Sequence, residues 1–155
     1  MTKSAILAGA ALALPFAANA DIVYNPTNLS VTSTGGDQTL NLDLDGDTVV
    51  DFIFTANYNT ATDTVTPQGS NGYIGTSSDV PTALMAAQII GGPSTNFQTG
   101  AGILQVSQSG PWPVTSLPFK ANPNAYLGVQ FYIGTDLHYG WVNLNACTAT
   151  DPRGT

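Results

Sequence analysis

Four aspartates occupy positions 1, 3, 5 and 9 of the stretch Asp43-Leu44-Asp45-Gly46-Asp47-Thr48-Val49-Val50-Asp51. In a tight loop, alternate side chains turn inward, so Asp43, Asp45, Asp47 and Asp51, with the main-chain carbonyl of Val49, make an all-oxygen ligand set. Such a set suits calcium, a hard cation that takes six or more oxygens at about 2.3–2.6 Å. Without a cation, four carboxylates this close repel one another, and ion binding then contributes to folding. The sixth position of such a loop turns sharply and favours glycine, yet here it is Thr48, with Gly46 two residues too early. The site is therefore expected to be weak, with a dissociation constant of about 10⁻⁴–10⁻³ M. The competing reading is a solvated acidic turn between strands.

Few other residues suggest reaction chemistry. His138 and Cys147 are the sole His and Cys, too few for a zinc site of imidazole and thiolate ligands. No G-x-S-x-G elbow accompanies His138, and its two-residue separation from Asp136 does not define a base and its orienting acid. All ten acidic residues are Asp. Those outside the loop are scattered in turns, where Asx hydrogen bonding is their usual role, rather than paired as a glycosidase requires. The reading is a non-enzymatic protein, with a secreted polysaccharide-active enzyme or carbohydrate-binding module fragment as the alternative. Aromatic rings stack on sugars, which makes Trp112, Tyr139 and Trp141 the candidate carbohydrate contacts, with Tyr73 and Tyr132 as further ones. Trp112, between Pro111 and Pro113, belongs to a loop, whereas the sequence favours the core for Trp141.

The formal charge of −7, with only Lys3, Lys120 and Arg153 as basic residues, repels phosphates and argues against a nucleic-acid partner. Lys3, the apolar run Ala5 to Ala18 and the small-x-small triplet Ala18-Asn19-Ala20 read as a secretory signal peptide over residues 1–20. The mature chain, 21–155, is then one domain with no transmembrane span, exported and without an internal disulfide.

Short runs of Thr, Val, Ile, Tyr and Phe separated by Gly, Pro, Asn and Asp predict an antiparallel all-β protein, a jelly-roll-like β-sandwich with one short helix. Strands are expected at Asp21 to Asn25, Thr39 to Leu44, Asp51 to Asn57, Gly72 to Gly75, Gly102 to Ser107, Tyr126 to Ile133 and Tyr139 to Asn145. Period-two alternation places Leu40, Leu42, Leu44, Phe52, Phe54, Ala56, Leu127, Val129, Phe131 and Ile133 in the core. The last two strands form a hairpin through Gly134 to Leu137. Pro81 to Ile90, begun by Pro and ended by two glycines, predicts the helix. Thr60 to Asn71, Ser94 to Gly100 and Ser109 to Ala125 read as connectors.

Together with the signal peptide, the blocks LDLDGDTVVDFIF at Leu42 to Phe54, QIIGGPSTNF at Gln88 to Phe97 and YLGVQFYIGTDLHYGWVNL at Tyr126 to Leu144 resemble exported proteins of the PEP-CTERM sorting group. The last block is the most specific, carried by Tyr126, Leu127, Gly128, Phe131, Ile133, His138, Tyr139, Gly140 and Trp141. The resemblance implies the envelope or extracellular matrix of a Gram-negative bacterium, an association with exopolysaccharide and no catalytic residue. The chain departs from that group after Asn145, where no Pro-Glu-Pro, terminal hydrophobic helix or basic cluster follows. The sorting tail is thus expected to be missing, through truncation, frameshift, clipping or free secretion.

Overall fold

The computed structural model describes residues 36–57, 62–77, 79–92, 95–106, 119 and 125–144. The expected signal peptide, the strand at Asp21 to Asn25, Trp112, Cys147 and the C-terminal residues lie outside them. Every element among the described residues is a β-strand. The ten are β1 (Gln38–Leu42), β2 (Phe52–Asn57), β3 (Thr62–Pro67), β4 (Gly72–Ser77), β5 (Val80–Pro81), β6 (Ala83–Leu84), β7 (Phe97–Gln98), β8 (Gly102–Val106), β9 (Tyr126–Ile133) and β10 (Asp136–Asn143).

They form the expected all-β sandwich of two antiparallel sheets. Sheet I has the order β1-β2-β3-β8, and sheet II the order β10-β9-β4-β5, with β6 added to β9 and β7 to β4. The chain therefore crosses between sheets from β3 to β4, from β7 to β8 and from β8 to β9. Pro81 lies in β5 at the end of its sheet's strand order, where the missing proline N–H leaves no ladder bond unmade.

The core forms where the inward faces meet. Leu42, Phe52, Phe54, Val65 and Leu104 from sheet I pack with Tyr73, Leu127, Val129 and Phe131 from sheet II, joined by Phe119 and Ala125. Fully burying each large apolar side chain contributes roughly 1.5–3 kcal/mol. Ala56 is also buried, whereas Leu40, Leu44 and Ile133 are half-buried and pack against the core's margin.

Main-chain geometry closes the molecule at two places. The β9–β10 hairpin turns through Gly134 and Thr135 alone, with Ile133 opposite Asp136. Gly134 has φ +63° at the first central position, where a II′ turn requires glycine. At the edge where β8 meets the β4–β5 connection, the Ile103 N–H donates to the Asp79 carbonyl at 2.9 Å and ties the two sheets together. Gly102 permits this approach, since a Cβ there would lie 2.5 Å from the Tyr73 hydroxyl oxygen and 2.6 Å from Pro81 Cγ. Burial, with the Asp79 charge second, raises the Tyr73 pKa and keeps this phenol neutral.

Two expectations are corrected. Residues 81–90 are not a helix: Pro81 belongs to β5, and Ala83 and Leu84 form β6, opposite Leu127 and Tyr126 of β9. The remainder is too short for a stable helix and closes as a turn. In it the Gln88 N–H donates to the Met85 carbonyl at 3.3 Å and the Met85 N–H donates to Gln88 Oε1 at 2.6 Å. Ala87, at φ +70°, leaves the right-handed helical region altogether. The stretch expected as a connector over Thr60 to Asn71 contains β3, an interior strand of sheet I. Only Val65 and Pro67 are fully buried along it, so one face shows no apolar signal.

Gly102→Ala is expected to lower the unfolding free energy by about 1–3 kcal/mol through overpacking. Gly36→Ala, at a position with nothing within 4 Å of the added carbon, should leave it nearly unchanged. Chemical denaturation of both variants checks the difference.

Candidate metal loop and aromatic face

The nine residues 43–51 connect β1 to β2, whose pairing ends with Leu42 opposite Phe52. The Asp51 N–H donates to the Leu42 carbonyl at 2.9 Å and closes the loop. Inside it, carboxylates organise the backbone. Asp43 accepts the Gly46 N–H at 2.7 Å through Oδ1 and the Thr48 N–H at 2.9 Å through Oδ2. Asp45 Oδ1 accepts the Asp47 N–H at 3.1 Å, and Asp47 Oδ1 accepts the Val49 N–H at 2.7 Å.

Asp43, Asp45 and Asp51 each present a carboxylate oxygen within 4.8 Å of the others, an arrangement that can hold a metal ion. A carboxylate oxygen that accepts one N–H retains lone-pair capacity for a cation. Asp47 is not in this group; its carboxylate is turned to the Val49 amide. The Val49 side chain is 63% exposed. The structure thus brings together three of the four expected carboxylates. Thr48, at the sixth position, adopts φ +75°, the left-handed geometry for which glycine was expected. The backbone follows the loop's requirement despite a β-branched side chain, at a cost of roughly 1–2 kcal/mol.

The charges in the loop respond differently to folding. The Gly46 amide, followed by those of Thr48 and Asp47, holds the Asp43 pKa below its ordinary 3.8, although partial desolvation acts against it. That carboxylate favours the folded chain above the ordinary value, and the contribution is lost as pH falls through its lowered pKa. Asp45 is raised, by desolvation first and then by the Asp47 and Asp51 charges. Its ionised form disfavours folding at neutral pH, a penalty that a proton or a cation relieves.

Asp51 is buried, with 6% of its surface exposed. Its Oδ2 accepts the Leu44 N–H at 2.7 Å and its Oδ1 accepts Asn71 Nδ2 at 2.7 Å. Asn71, also buried, uses its own Oδ1 to accept the Tyr132 N–H of β9 at 3.2 Å. One amide therefore links the acidic loop of sheet I to sheet II. Sequence reasoning missed Asn71 because an Asn before Gly at a strand start looks like any turn residue.

The second group lies on the outer face of sheet II. Tyr139 and Trp141 share that face of β10, opposite Gln130 and Gly128 of β9. Trp141 is 53% exposed and Tyr139 44%, which corrects the expectation of a core Trp141. The inward positions of β10 are His138, Gly140 and Val142. Trp141 meets Tyr126 edge-on, with centroids 5.1 Å apart and planes at 86°, and Tyr139 stacks on Phe97 at 5.5 Å. Leu84, Met85, Ala86, Ala87, Gln88, Ile90, Tyr126 and Trp141 line a groove of about 320 Å³. Tyr132 is exposed, whereas Tyr73, a further carbohydrate candidate, is fully buried in the core. The half-buried His138 ring lies 5.8 Å from that of Phe131.

No protein-family model, curated protein or solved structure matches the chain.

Asn71→Leu removes the partner of a buried carboxylate oxygen and of the Tyr132 amide, and is expected to cost about 2–4 kcal/mol. Urea denaturation measures it; a loss below about 0.5 kcal/mol would show that the link is dispensable. Thr48→Gly relieves the left-handed strain against roughly 0.5–1 kcal/mol of added backbone entropy. The expected result is a small rise in Tm by calorimetry.

Proposed function

We propose that this chain is a secreted or cell-surface, non-enzymatic protein associated with extracellular matrix or exopolysaccharide, in which calcium stabilises the β1–β2 connection. The observation that carries the calcium reading is the Asp43, Asp45 and Asp51 trio, with Asp51 buried beside two more exposed acids. Two oxygens bound to one calcium ion lie at most about 5 Å apart, twice the ligand distance, so the spacing of the trio fits that ion. Asp47 and the Val49 carbonyl are the nearest further oxygen donors in sequence. The cation would offset the desolvation and the like-charge repulsion that raise Asp45 and would fix a loop whose last residue joins the buried Asp51–Asn71 link.

Further features support the surroundings proposed. Residues 1–20 have the form of an export signal, and the acidic-loop and hairpin blocks resemble exported proteins. Exposed aromatic side chains on a rigid sheet suit contact with sugar rings, and the exposure of Tyr139 and Trp141 supports that reading.

Calcium at ten to a hundred times its dissociation constant is expected to add about 1.4–2.7 kcal/mol to stability. The rise in Tm should be removed by a chelator and by Asp45→Ala. It should also weaken as pH falls into the acidic range, because Asp45, whose pKa is raised, takes up a proton before an ordinary carboxylate does and then competes with the cation. A Tm unaffected by millimolar calcium at neutral pH would leave the loop as a turn.

A further inference from the structure

We propose that the groove between the 84–90 segment and the Tyr126–Trp141 pair binds a short segment of an uncharged polysaccharide. This inference rests on the polysaccharide reading above and names both the place and the ligand class. The groove's volume, about 320 Å³, falls at the small end of ligand clefts, roughly 300–1,000 Å³.

The walls of the groove are preorganised. Leu84 is held in β6 against β9, and the Met85–Gln88 turn is closed by two reciprocal hydrogen bonds. Tyr126 supports the Trp141 ring edge-on. Gly91, at φ +89°, lets the Tyr139 ring rest on the backbone just past the groove, since a Cβ there would lie 2.6 Å from the ring. Tyr139 and Trp141 alternate on one strand face, about 7 Å apart along it, so an extended polymer that fills the groove can reach both.

Chemistry narrows the ligand. The lining combines apolar Leu84, Met85 and Ile90 with hydrogen-bonding groups on Tyr126, Trp141 and Gln88. Gln88 Oε1 is engaged by Met85, which leaves its amide N–H groups as donors, and the Trp141 indole is a donor only. A purely apolar partner would desolvate these donors without replacing their hydrogen bonds. A sugar presents C–H faces to the rings and hydroxyl oxygens to the donors. No side chain lining the groove is charged. The protein carries a net charge of −7, and no Lys or Arg occurs among the described residues. An anionic polymer would therefore meet repulsion with no compensating cation, and an uncharged one would not.

The test titrates the calcium-loaded full chain by calorimetry with cellohexaose, maltohexaose and xylohexaose, with hexagalacturonate, and with phosphatidylcholine vesicles. At least one neutral hexasaccharide should bind, Trp141→Ala and Tyr126→Ala weakening it about tenfold or more and Trp141→Phe less. Ala86→Arg, which blocks the groove from an exposed position without removing an aromatic, should weaken it too and serves if Trp141→Ala fails to fold. Gly36→Ala, beside β1 and outside the groove lining, should retain the affinity. Glycan binding unaffected by Trp141→Ala and Ala86→Arg would overturn the groove assignment and leave the proposed function standing. Binding of hexagalacturonate as tight as that of the neutral sugars would overturn the uncharged class. Capture by vesicles alone, or no binding at all, would overturn the inference together with the polysaccharide part of the function, while the calcium-dependent Tm stands as a separate result.

Discussion

The hydrogen bond from Asn71 Nδ2 to Asp51 Oδ1, 2.7 Å long and buried, answers a requirement that the rest of the structure inherits. A carboxylate removed from water needs donors on both oxygens, and those bonds are worth roughly twice a neutral pair. Asp51 obtains one from the Leu44 amide inside its own loop and the other from the opposite sheet. Its main chain adds bonds to Leu42 and from Gln68. The end of the acidic loop, the start of β2, the β3–β4 crossing and β9 thus converge on one residue. An acid serving only as a surface ligand would not need this shell.

The sandwich is laced at another place by closeness alone. At the β8 edge the Ile103–Asp79 main-chain bond and the absent Cβ of Gly102 bring the sheets together over the neutral Tyr73 ring. Between the polar link and this seam lies the apolar core. The division suits a chain with a single cysteine: cohesion comes from burial and backbone geometry.

The strongly alternating strands were legible in the sequence. Leu42, Phe52, Phe54, Leu127, Val129 and Phe131 are where period two put them, and the β9–β10 hairpin has its glycine at the required turn position. β3 escaped because its Thr-rich outward face carries no apolar period, and its neighbours decide its place. Pro81 to Ile90 misled in the opposite sense: local propensity favoured a helix, but Leu84 has a more favourable position beside β9, and two residues cannot be spared from so short a segment. In the acidic loop, the spacing anticipated that the carboxylates of Asp43, Asp45 and Asp51 come together. It could not reveal that Asp47 turns to the Val49 amide, nor that Asn71, twenty residues on, completes Asp51. Trp141 was misplaced because a large ring in a small domain suggests core, whereas the pleat of β10 had already given the inward positions to His138, Gly140 and Val142.

That pleat separates two kinds of requirement along eight consecutive residues. The inward positions of β10 answer to the fold, and the outward ones, with Tyr139 and Trp141 among them, contribute little to the packed interior. The outward rings can be exchanged for other shapes while the hairpin register persists. What the outer face presents to solvent can therefore be altered without disturbing the architecture beneath it.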